Sequence, residues 1–145
     1  MTEHHLTEQQ LIQMAQQEEK QLNNRQQTLI KITEVIKETN GAMEALKEIK
    51  KQKGTYLVKL GAGIFIESEI KTNICKKSFA EDGYIDENIE ETIKMLEKRK
   101  EDLEKQAQKV NNDLIKVEQR LSQIVSIIQQ LQNEKRKNFS KATKQ

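Results

Sequence analysis

Thr55-Tyr-Leu-Val-Lys-Leu60, then Gly61-Ala-Gly63, then Ile64-Phe-Ile-Glu-Ser-Glu-Ile70 is the stretch on which the fold turns. Two β-branched and aromatic runs separated by a short glycine-containing link spell a β-hairpin. A second and weaker pair runs through Ile74 to Phe79 and Gly83 to Ile85, turning at Glu81-Asp82-Gly83, so the segment holds one hairpin or two. Four of the five glycines and four of the five aromatics fall between positions 54 and 84. A two-stranded hairpin is marginal in water, and this one has few apolar neighbours in its own chain. Its strands are therefore expected to complete a sheet with other subunits, which also protects their open edges.

Outward from this segment the composition changes to Gln, Glu, Lys, Leu and Ile. Before it, positions 11, 15, 18, 22, 25, 29, 32, 36, 39, 43 and 46 read Leu, Ala, Glu, Leu, Arg, Leu, Ile, Ile, Thr, Met, Leu, and eight of these eleven are apolar. After it, positions 93, 96, 100, 103, 107, 110, 114, 117, 121, 124, 128 and 131 are apolar at eleven of twelve, Lys100 being the exception. Apolar residues sustained at a spacing of three and four are a coiled-coil seam, and a seven-residue period supercoils left-handedly. Each helix should run roughly 60 to 75 Å. Such a helix cannot bury its stripe alone, so the expected architecture is mainly α: an antiparallel two-helix coiled coil joined by one or two β-hairpins. Asp86-Glu-Asn88 offers caps for the second helix, and Gly41 weakens the first. The expected divisions are a first helix in 1–53, a hairpin region in 54–86, a second helix in 87–137 and a basic flexible tail in 138–145.

Composition narrows the function. Of the 145 residues 34% are hydrophobic and 33% charged, with no proline and no tryptophan, which disfavours a globular enzyme and suits long uninterrupted helices. The net charge of +2 sits in Lys135, Arg136, Lys137, Lys141 and Lys144, leaving an electrically balanced body without the basic stripe a nucleic-acid partner would need. A single cysteine, Cys75, excludes an internal disulfide and fits a reducing, intracellular compartment. No signal peptide or membrane span is read. His4 and His5 are adjacent rather than one helical turn apart and Cys75 lies far away, so no metal site is expected. The carboxylates lie on helix surfaces beside lysines, which gives no acid–base pair, and Gly61-Ala62-Gly63 precedes a strand rather than a helix, which gives no phosphate loop. The expectation is a protein with no cofactor and no catalysis.

One feature points to a binding activity. Positions beside the seam are polar over most of both helices, then become Val125 and Ile127 near the end of the second and Ile12 and Met14 near the start of the first. Counted from helix bases at about Lys53 and Asp86, Ile12 and Ile127 should sit at one height. The seam thus widens at the tip into an apolar surface of Leu11, Ile12, Met14, Ile124, Val125, Ile127, Ile128 and Leu131. Such a surface marks an interaction site, or packs the tip, or docks another coil. Methionine and flexible end turns suit irregular apolar ligands.

Tyr56-Leu-Val-Lys-Leu-Gly61-Ala-Gly63-Ile-Phe-Ile-Glu-Ser-Glu-Ile70, followed by Gly83-Tyr-Ile-Asp-Glu-Asn-Ile-Glu-Glu-Thr-Ile-Lys-Met-Leu-Glu-Lys-Arg99, resembles the hairpin region and second-helix start of prefoldin alpha-type subunits. The connector of about 33 residues is similar to the two-hairpin alpha type rather than the one-hairpin beta type. Where that family often has an apolar strand and a glycine before Gly-Tyr, this chain has Lys76-Lys77-Ser78 and Ala80-Glu81-Asp82. The resemblance implies a jellyfish-shaped hexamer of two alpha-type and four beta-type subunits, with a β-barrel body built from Tyr56, Val58, Leu60, Ile64, Phe65, Ile66 and Ile70. It further implies an ATP-independent cytoplasmic co-chaperone that holds unfolded client proteins at its coiled-coil tips and delivers them to a group II chaperonin. Two other readings stay open: a self-assembling homo-oligomer or filament, and a coiled-coil scaffold or tether for one folded partner.

Overall fold

The computed structural model describes residues 6–51, 54–71 and 73–144. The chain runs α1 (Glu8–Lys51), β1 (Thr55–Gly61), β2 (Ile64–Glu69), β3 (Ile74–Phe79), β4 (Gly83–Asn88) and α2 (Ile89–Ala142). It is divided into two units, a terminal unit of Met1–Ile32 with Gln106–Gln145, and a hairpin unit of Thr33–Lys105. His4 and His5, and the expected helix end at Lys53, lie outside the described residues.

Both hairpins form, each a separate two-stranded antiparallel sheet. In the first, Val58 faces Ile66 and Lys59 faces Phe65, with an irregularity before Gly61. The link takes the left-handed conformations that its glycines permit: Gly61 has φ of 112° and Gly63 of 77°, and Ala62 between them is held at 51°. In the second, the run from Ile74 opposite Asn88 to Phe79 opposite Gly83 is continuous. The two charged residues that interrupt β3 are given partners. Lys76 Nζ lies 3.0 Å from Asp86 Oδ1 directly across the strands, and the Lys77 ammonium rests against the Met95 sulfur on α2. A Cβ at Gly83 would come within 2.7 Å of the Phe79 ring and 2.8 Å of its carbonyl oxygen, so any larger residue here forces the turn to shift.

In the hairpin unit the end of α1, the start of α2 and β3 share one core. Met43, Ile89 and Ile93 are buried, with Leu46, Ile49, Leu96 and Cys75 packed around them. Burying each such side chain stabilises by about 1.5–3 kcal/mol. The two helix segments run antiparallel here, as Asn40 meets Lys100 (3.0 Å), Lys47 meets Glu97 (3.3 Å) and Lys50 meets Glu90 (2.6 Å). In the terminal unit the order is again reversed: Glu18 meets Arg120 at 3.3 Å, and Glu8 meets Lys135. Every expected seam position, in either unit, is buried or half-buried, the polar Glu18, Arg25, Thr39 and Lys100 included.

The helix ends follow from side chains. Thr7 and Gln10 cap α1 reciprocally, the Gln10 amide N–H donating to Thr7 Oγ1 (3.2 Å) and the Thr7 N–H to Gln10 Oε1 (2.9 Å). Asn88 serves twice: its backbone pairs with Ile74 in the sheet while its Oδ1 accepts from the Glu90 N–H at 2.9 Å, so β4 passes into α2 without a loop. At the other end α2 continues over the residues expected as tail, through Ala142. No glycine or proline interrupts it, and the Thr143 N–H closes the last turn on the Phe139 carbonyl at 3.1 Å.

Candidate functional site

The eight residues expected at the widened seam all lie in the terminal unit, where burial sorts them. Leu11 and Ile124 are buried at 4% and 8% exposure and belong to the seam itself. Ile128 and Leu131 are half-buried beside them. Ile12, Met14, Val125 and Ile127 are exposed at 38–45%. Their placement follows from the repeat. Ile12 and Val125 each directly follow a seam residue, and Met14 and Ile127 each directly precede one. Equivalent positions of antiparallel helices face the same side, as the equivalent Lys47 and Glu97 do in the hairpin unit. Ile12 and Val125 therefore occupy one flank of the seam, and Met14 and Ile127 the other.

This region is clasped by polar contacts that the sequence reading did not single out. Glu8, at a seam position one turn before Leu11, accepts from Lys135 and, at 3.4 Å, from the Gln132 amide. Those hydrogen bonds, Lys135 foremost, hold its carboxyl below the usual carboxylate range. Both side chains of the Glu18–Arg120 pair lie on the same unit, Glu18 largely covered and Arg120 half exposed. The signal available beforehand was the acidic residue at a seam position with a cation at the matching height on the other helix.

The hairpins carry a second set of exposed apolar residues. Of those expected in the assembly, Val58, Leu60, Ile64, Phe65 and Ile66 are exposed, Tyr56 is half-buried with its hydroxyl donating to the Glu48 carbonyl at 3.5 Å, and Ile70 is half-buried just beyond β2. The register divides them by face: Tyr56, Val58, Ile64 and Ile66 project to one side, while Phe65 shares the other with Leu57, which is 68% exposed. Ile74, Phe79, Tyr84 and Ile85 of the second hairpin are also exposed and lay outside the expected set. No alternation announces them: Ile74 and Phe79 are five residues apart and Tyr84 adjoins Ile85, so the register places Ile74 and Tyr84 on one face and Phe79 and Ile85 on the other.

The described residues hold no cluster of His, Cys, Asp and Glu with metal-binding geometry. Cys75 is half-buried, its Sγ 3.4 Å from the Glu87 carbonyl and 3.1 Å from Thr92 Oγ1. No described helix is long and apolar enough to cross a membrane.

Comparison with known proteins agrees with this geometry. The family model for prefoldin subunits matches residues 9–134. Similar curated proteins include a prefoldin subunit alpha of Saccharolobus islandicus, 29% identical over 125 residues that cover 84% of this chain and 85% of the relative. A prefoldin subunit alpha of Saccharolobus solfataricus is 28% identical over 130 residues, 88% of each chain. One from Pyrococcus horikoshii is 29% identical over 100 residues, 68% of this chain and 66% of its own. The paired helices, the two hairpins between them and a family match that covers all four strands and most of both helices lead to one conclusion: this chain belongs to the prefoldin subunit family.

Proposed function

We propose that the chain is an alpha-type subunit of a hetero-oligomeric, ATP-independent chaperone, and that its terminal unit holds non-native proteins. The observation that carries this reading is the exposure of Ile12, Met14, Val125 and Ile127 around a seam whose own residues Leu11 and Ile124 are covered. Those four side chains keep 38–45% of their surface in water beside a seam that is already covered, and apolar surface left in water favours a ligand. On this reading residues 1–53 and 87–137 form the holding arms and residues 54–86 assemble with beta-type subunits into a β-barrel body. Clients pass to a group II chaperonin in the cytoplasm. Several arms on one client raise avidity without any new contact.

Two measurements test the reading. Light scattering on the chain alone and mixed with a beta-type prefoldin subunit should give a stable mixed species of about six chains, the number expected of the family resemblance. A large homo-oligomer indifferent to the beta-type subunit would overturn the stoichiometry. Replacing Ile12, Met14, Val125 and Ile127 together with serine should abolish suppression of client aggregation and leave the assembly mass unchanged. Undiminished suppression would remove the terminal unit from the mechanism.

A further inference from the structure

The two longest stretches of this sequence without a charged side chain are residues 9–17 and 121–133. In a chain one-third charged they are conspicuous, and the fold brings them together. The first is bounded by Glu8 and Glu18, and these same residues meet Lys135 and Arg120 just beyond the two ends of the second. Interhelical ion pairs thus close a band whose surface contains no charge. Within it the polar side chains are nearly all amides: five glutamines on α1, and four glutamines, two serines and one asparagine on α2.

The amides sit where a ligand on either flank would meet them. Gln16 and Gln129 follow Ile12 and Val125 by four residues, one helical turn along the same flank, and Gln17 and Gln130 follow Met14 and Ile127 by three on the other. All four glutamines are exposed. An amide side chain both donates and accepts, so it can bond the N–H or C=O of an extended backbone whatever side chains that backbone carries. A lysine or glutamate in its place would select ligands by charge and would resist desolvation beneath an apolar segment. The seam between the flanks is closed, so contact is lateral. Nine residues of helix span about 13 Å, the length of roughly four residues of extended chain.

We infer that each flank of this closed, charge-free band seats a short, uncharged, extended stretch of unfolded polypeptide, held by apolar contact and by amide hydrogen bonds to its backbone without an ionic contribution. This rests on the reading that the terminal unit holds non-native protein, and it adds the chemistry of what is held: charge-poor segments, irrespective of order.

The test uses the full chain in the assembly it forms, binding overlapping short peptides tiled from the sequence of an unfolded protein. Captured peptides should be poor in Asp, Glu, Lys and Arg, and capture should change by less than about twofold between about 50 and 500 mM NaCl, a range over which surface charge interactions are strongly screened. The variant Gln16→Glu/Gln129→Glu, and on the other flank Gln17→Glu/Gln130→Glu, should lower capture of uncharged peptides about tenfold while raising capture of lysine-bearing ones. A structural defect would lower both. Capture that falls tenfold with salt, captured peptides that share a charge, or a glutamate variant whose only effect is to dissociate copies of this chain would each overturn the inference. Full capture by the four-serine variant would instead overturn the underlying reading.

Discussion

The terminal and hairpin units both leave apolar side chains in water, but on different backbones. Leu57, Val58 and Ile66 stand on strands at the edges of two-stranded sheets, where one backbone edge of each strand has no partner within its sheet. Ile12, Met14, Val125 and Ile127 stand on helices whose backbone hydrogen bonds are internal. A partner for the first surface must match a register as well as a shape, because it has to satisfy N–H and C=O groups at fixed spacing. A partner for the second need only cover side chains. Strand edges thus suit a permanent, stoichiometric neighbour, and helix flanks suit a ligand that changes from one encounter to the next.

The sharpest way to break this comparison lies in the terminal unit, at two adjacent residues. Leu114 is buried in the seam at 8% exposure and Ile115 is 44% exposed beside it. Leu114→Ala should cost about 3 kcal/mol through lost burial and the cavity left behind, and Ile115→Ala well under about 1 kcal/mol. Thermal unfolding followed by circular dichroism separates the two; equal losses would mean that Ile115 is packed rather than left in water. In the hairpin unit the corresponding contrast is between glycines. Gly83→Ala forces a Cβ against the Phe79 ring and carbonyl and should destabilise the second hairpin by about 1–3 kcal/mol. Gly41→Ala meets nothing within 4 Å on an exposed helical turn and should stabilise by about 0.5–1 kcal/mol. A Gly83→Ala chain with intact β3–β4 pairing by hydrogen exchange would show that the turn can relax.

The two units were not equally legible in the sequence. The seam could be read because a repeat of three and four is a property of spacing alone, and it placed even Glu18, Arg25, Thr39 and Lys100 correctly between the helices. The first hairpin could be read because Gly61 and Gly63 announce positive φ and the strands on both sides are apolar. The second was left open because Lys76-Lys77-Ser78 does not look like a strand until Asp86 and Met95 are seen to receive the two lysines, and those partners are ten and eighteen residues away. At the candidate surface the repeat already separates Leu11, at a seam position, from Ile12 and Met14 beside it, because about 100° of rotation per residue turns its neighbours away from the other helix. The degree of exposure left to each, 4% against 38% and 39%, comes from the packing and not from the spacing.

The smallest expected effect compares one carboxylate from each unit. Glu8 is held to Lys135 and Gln132 in the terminal unit, Glu90 to Lys50 in the hairpin unit, and the hydrogen bond to the lysine is in each case the main cause that lowers the carboxyl pKa from its ordinary value of 4.5. A carboxylate whose folded pKa is depressed adds stability above its unfolded pKa and loses it as pH falls through the folded value. Both clasps are therefore fully present at neutral pH and weaken below about pH 4.5, by a small amount because Glu90 and both lysines are exposed and salt screens the pairs. Carboxyl carbon shifts followed by NMR should place both midpoints below 4.5, and Lys135→Met should return Glu8 toward 4.5 while leaving Glu90 unmoved. If Glu8 instead titrates at its ordinary value in the intact chain, its ion pair does not bound the charge-free band in solution, and only the Glu18–Arg120 side of that band would keep a fixed edge.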